Sequence, residues 1–177
     1  MSMTRSLAIR AAMLATLGGT ALMLSAATRS STAMFGGPWI SVEAPGNPYD
    51  NTTRGAAFYV HTYRHTVPMD MTVSATAEGI VDGQRKSLPL TVAKSAQTGT
   101  YAVRNQWGNK GVWTVVVGAT VADLAVNMQA LIEIDADGEV GRVTVPHSGM
   151  VPRVASVAEI ERGLRDRAHA PLTVGGR

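Results

Sequence analysis

Between Trp39 and Val145, apolar and polar residues alternate in short runs, and turn residues cut off each run. This period of two constrains the fold more than any other feature. Successive side chains of a strand point to opposite faces, so each run carries one apolar face that must be buried. Strands are expected near Trp39–Ala44, Ala56–Arg64, Met71–Ile80, Lys86–Ala93, Thr100–Trp107, Val112–Ala119, Met128–Asp135 and Val140–Pro146. Asp82-Gly83 and Asp137-Gly138 read as hairpin turns, because glycine readily takes the positive φ such turns need. Short strands at this spacing, with a helical period only at the C-terminal end, predict a mainly β chain folded as an antiparallel sandwich.

Parity assigns the faces. Phe58, Val60 and Thr62 share one side of their strand; Met71, Val73, Ala75 and Ala77 share a face, as do Leu88, Leu90 and Val92. Trp113, Val115 and Val117 form an inward set, as do Met128, Ala130, Ile132 and Ile134. The 177-residue chain contains no cysteine, so disulfides, thiolate catalysis, Cys-ligated zinc and iron–sulfur clusters are excluded. Burial must hold the fold, at roughly 1.5–3 kcal/mol for each enclosed Val, Leu or Ile.

The formal charge of +3 is localised. Arg5, Arg10 and Arg29 lie in the first 33 residues, which hold no acid; removing them from the sixteen basic residues leaves thirteen against thirteen acidic ones. A nucleic-acid partner needs a surplus of positive charge to neutralise phosphates, and the remainder of the chain has none.

Those first residues have a positive start followed by seventeen uncharged residues from Ala11 to Ala27. Small residues at Ser25-Ala26-Ala27 and Ser31-Thr32-Ala33 suit signal-peptidase cleavage, so residues 1–33 read as an export signal. The alternative is an uncleaved anchor. Leu7 to Ala27 is 21 residues, about 31 Å as a helix, enough for a ~30 Å hydrocarbon core if Arg10 snorkels to the headgroups. Ala11, Ala15 and Gly19 would then form a small-residue stripe against which another transmembrane helix could pack. Residues 34–150 are expected to form the sandwich, on the periplasmic side of the membrane or secreted. Residues 151–177 are expected to form a C-terminal amphipathic helix and tail. Ser156 and Glu159 have capping-box spacing, and Val157, Ile160 and Leu164 make a narrow apolar stripe that docks either on the sandwich or on a partner subunit.

Gly99-Thr100-Tyr101, then Trp107, then Gly111-Val112-Trp113 with alternating valines to Val117, resembles the last two strands of bacterial YtkA-like and FixH-like envelope domains. Thr76 to Gly83, followed by Leu88-Pro89-Leu90, fits the preceding hairpin. The resemblance covers about residues 39–119. It implies an immunoglobulin-like fold, an envelope location, and association with membrane complexes or metal handling. The chain departs from that family in its further strands and helix after Ala119, and it has no His-Gly or Met-rich metal signature.

Two overlapping clusters are candidates for function. His61, His65 and Met69 offer imidazole and thioether groups that would suit copper. Four residues along a strand separate the two histidines by about 13 Å, too far for one ion on a straight strand. Tyr59, His61, Tyr63 and His65 share the face opposite Phe58, Val60 and Thr62, and tyrosine is enriched where proteins meet. This row is the expected partner-binding face. No serine-hydrolase, zinc-protease or phosphate-loop motif is present. The sequence therefore predicts a non-catalytic accessory subunit of a membrane protein complex, respiratory or photosynthetic, with no cofactor of its own. The alternatives are a soluble periplasmic binding module, for copper among other ligands, and an envelope enzyme.

Overall fold

The computed structural model describes residues 37–44, 55–121, 124 and 126–169. The N-terminal segment, with Ala11, Ala15 and Gly19, and the tail after His169 lie outside the described residues. Among the described residues, twelve strands and one helix follow in chain order: β1 (Pro38–Glu43), β2 (Ala56–Arg64), β3 (Val67–Pro68), β4 (Thr72–Val81), β5 (Gln84–Leu90), β6 (Val92–Lys94), β7 (Thr100–Arg104), β8 (Val112–Val121), β9 (Val126–Ile134), β10 (Val140–Thr144), β11 (His147–Ser148), β12 (Val151–Pro152) and α1 (Val157–Ala168).

The strands form two main antiparallel sheets. Sheet A runs β1-β2-β7-β6, with β3 also paired to β2, and sheet B runs β10-β9-β8-β4-β5. Both contribute to one hydrophobic core, with Phe58, Val60 and Val103 from sheet A meeting Val115, Val117 and Ile132 from sheet B, all fully buried. Most of the inward residues read from parity are buried, but Val73 and Leu88 are only partly so, and Val92 is separated from Leu88 and Leu90 because it lies on β6 in sheet A.

In-register rows cross the inner face of sheet B. One is Leu88–Ala77–Val115–Ile132, and the next is Lys86–Gly79–Trp113–Ile134. Gly79 is required in the second row, because a Cβ there would lie 2.3 Å from the Trp113 ring that covers it. The Trp113 indole N–H donates to Lys110 O at 2.7 Å, which satisfies the one polar group of an otherwise buried side chain. Tyr101 ties the sheets together: its hydroxyl accepts from Met71 N at 2.8 Å and donates to Met71 O at 2.7 Å, just ahead of β4.

The expected single strand Lys86–Ala93 is in fact two. β5 belongs to sheet B and β6 to sheet A, and the chain changes sheet at Thr91. A sheet change leaves backbone groups without ladder partners, and these must be satisfied another way. The Gln106 side chain does so, accepting from Thr91 N at 3.0 Å and donating to Thr91 O at 3.2 Å. Gln106 is thereby held outside any strand, and β7 ends at Arg104 rather than at Trp107. The short hairpin β11–β12 turns at Gly149 and Met150, where the sequence places a segment boundary.

Helix α1 packs across the outer face of sheet B, against β8 and β4. Ser156 caps it and Glu159 closes the capping box. Of the expected stripe, Leu164 is fully buried and Ile160 half-buried, but Val157 is 75% exposed. The helix docks through its C-terminal half. There the Arg167 guanidinium donates to Trp113 O at 3.1 Å, to Thr114 Oγ1 at 2.5 Å and to Ile134 O at 3.4 Å. Burial lowers the Arg167 pKa from its ordinary value.

Candidate interaction face

The outer face of sheet A carries a ladder of four rings. β1 pairs with β2 so that Trp39 lies opposite Tyr63, Ser41 opposite His61 and Glu43 opposite Tyr59. Trp39 and Tyr63 stack with centroids 4.2 Å apart and planes at 15°. His61 continues the row, 6.4 Å from Tyr63 and 6.3 Å from Tyr59.

The polar ends of the ladder are held in place. His61 Nε2 lies 2.9 Å from Glu43 Oε2 and its Nδ1 lies 3.2 Å from Thr100 Oγ1, so both ring nitrogens are engaged. The Trp39 indole N–H donates to His65 O at 2.5 Å, joining β1 to the turn after β2. A second network backs that turn. Thr62, fully buried, donates its hydroxyl to Met69 O at 2.5 Å. Gly99 packs against the same strand at φ +70°, where a Cβ would come within 2.6 Å of Thr62 O. The Asp70 carboxylate accepts from Gly99 N at 2.8 Å and pairs with Lys94 at 2.5 Å. Lys94, then the Gly99 N–H, holds the Asp70 carboxyl below its ordinary pKa.

The four residues expected on this face do not behave alike. His61 and Tyr63 lie on it and are half-buried. Tyr59 has the expected parity but is only 4% exposed, so it offers little surface. His65 is not on the face. β2 ends at Arg64, and His65 sits in the following turn at φ +58°, a conformation that ends strand alternation. Met69 lies between β3 and β4 and packs against the core. The expected copper ligands are thus not gathered into one site. Among the described residues no group of three or more His, Asp or Glu side chains could hold a metal ion.

Trp39 is the residue that the sequence reading missed. It is 40% exposed and forms the outer end of the ladder. Its parity with Ser41 and Glu43 was readable, but its place beside Tyr63 depends on the β1–β2 register. Chemically, the face offers flat ring surfaces beside an imidazole–carboxylate pair, a combination suited to packing and hydrogen bonding against another protein. Among the described residues, no helix is long and apolar enough to cross a membrane. No protein-family model, curated protein or solved structure matches the chain.

Proposed function

We infer that the protein is an exported, immunoglobulin-like accessory subunit that docks onto a membrane protein complex through the outer face of sheet A. The Trp39–Tyr63 stack carries this reading: two large rings, pre-organised and partly open to solvent, lie on a face whose hydrogen bonds fix its shape. Binding energy in protein interfaces concentrates in such rigid aromatic anchors. The immunoglobulin class has support in the strand order, since β1-β2-β7-β6 corresponds to the A-B-E-D sheet of that fold and β9-β8-β4 to its G-F-C sheet, with an added strand at each edge of the second sheet, β10 and β5. The resemblance to YtkA-like and FixH-like domains is consistent with that class.

The membrane side of the proposal comes from the N-terminal segment. If it is retained as a span, ten residues, 28–37, separate Ala27 from β1. Fully extended they reach at most about 35 Å, so the edge of sheet A that bears Trp39 stays near the membrane surface, within reach of integral subunits.

The test is co-purification from detergent-solubilised native membranes. Trp39→Ala combined with Tyr63→Ala should release the protein from its complex while the released protein stays folded. Full co-purification of the folded double variant would exclude this face as the interface. Intact mass of the native protein decides the anchoring: a chain beginning at Thr28 or Met34 would refute the retained span.

A further inference from the structure

A second feature lies at one end of the core and is independent of the interaction face. A cleft of about 560 Å³ opens between β5, the end of β4 and the β7–β8 loop. Val81, Leu88, Trp107 and Trp113 supply its apolar lining. Trp107 and Trp113 are buried at 4% and 3% exposure, so their rings belong to the fixed framework of the core. The loop that forms the other wall is also fixed: Gln106 is clamped to the Thr91 backbone and Asn105 Oδ1 accepts from Gly108 N at 3.2 Å.

The polar lining is one-sided. Lys86 and Lys110 both line the cleft, and among the described residues no acidic side chain does. The chain has only three lysines, and the third, Lys94, is paired with Asp70. Among the described residues neither Lys86 nor Lys110 has an ion-pair partner. Lys86 belongs to the inward-facing row of sheet B, beside Gly79 and Trp113, where an apolar side chain would be expected. The Trp107 indole N–H is buried and has no hydrogen-bond partner, an uncommon state for a core donor.

An aromatic and aliphatic floor with two unpaired cations and no carboxylate complements an anion that has an apolar body. Ligand clefts of this volume are typically apolar with a few converging polar groups. We propose that this cleft binds a small amphiphilic carboxylate, its chain along Leu88 and the exposed edges of Trp107 and Trp113 and its charge between Lys86 and Lys110. Among the described residues the lining offers one side-chain amide, Asn109, and no hydroxyl, too little to read a sugar or nucleotide. The opposing interpretation is that Lys86 only keeps the β5 edge from pairing with another sheet, a common use of inward charges on edge strands.

Titration of the full chain with octanoate, followed by tryptophan emission in a Trp39→Phe background, tests this directly, because the two remaining tryptophans both line the cleft. Octanoate should bind saturably, and octanamide, its neutral counterpart, about tenfold more weakly. Lys86→Gln with Lys110→Gln should weaken octanoate by about tenfold and leave octanamide unchanged. Raising ionic strength from roughly 0.02 to 0.5 M should weaken only the carboxylate. Absence of saturable octanoate binding would overturn the proposal. So would equal binding of the acid and the amide, or a folded double-lysine variant that binds octanoate like the wild type.

Discussion

On the outer side of sheet B, Leu164 of α1 is fully buried and the Arg167 guanidinium caps strand carbonyls and the Thr114 hydroxyl. On the outer side of sheet A, Trp39 and Tyr63 stack on each other, and Trp39 is still 40% exposed. The two faces use apolar and aromatic groups for different ends. Sheet B covers its outer face with an element of the same chain, so those contacts contribute to folding stability. Sheet A spends hydrogen bonds on fixing the positions of rings that gain little from the fold itself. That asymmetry is the reason for proposing sheet A, rather than sheet B, as the docking surface.

The comparison presupposes one core beneath both faces, and breaking that core should have the largest effect. Trp113→Ala should lower stability by about 3–5 kcal/mol, the usual cost of deleting a large buried aromatic, read as a drop in the urea midpoint. Gly79→Ala should reproduce much of this loss, because its Cβ would lie 2.3 Å from the indole. An unchanged midpoint in both variants would remove the shared support and the comparison with it.

The helix-covered face comes next. Leu164→Ala should cost about 2–4 kcal/mol, and backbone amide exchange should rise in α1 and in β8 beneath it. If the loss is negligible, α1 is not a structural cover and sheet B becomes a second candidate surface.

Acid should act on the same helix more gently. Glu159 accepts from Arg153, and from the backbone and side chain of Ser156. These contacts, that with Arg153 first, lower its pKa from 4.5 to about 2. A carboxyl depressed in the folded state binds protons more readily when unfolded, so its contribution is present above pH 4.5 and fades as the pH falls toward 2. Circular dichroism should show α1 loosening across that window, and Glu159→Gln should flatten the response.

The smallest stability effect is expected on sheet A. Trp39→Ala should cost only about 1 kcal/mol, the scale of one exposed aromatic pair, measured by the same urea titration. A loss as large as that of Trp113→Ala would make the ladder a structural element and erase the contrast between the faces.

Much of this molecule was written in the period of two. The strands near 56–64, 112–119 and 128–135, their inward sets and the Ser156–Glu159 cap could all be read locally, because alternation and capping act within a few residues. The candidate site was legible in part. The parity of Tyr59, His61 and Tyr63 was correct, while His65 was lost because a single left-handed residue ends the alternation without any glycine to announce it. What only the tertiary structure decided were relations between distant residues. The β1–β2 register put Trp39 on Tyr63, and Gln106 allowed the sheet change at Thr91. The packing of α1 selected Leu164 and Arg167 over Val157. Pairing partners, sheet changes and docking angles depend on long-range packing and on where unsatisfied backbone groups find partners, and neither is encoded in the spacing of neighbouring residues.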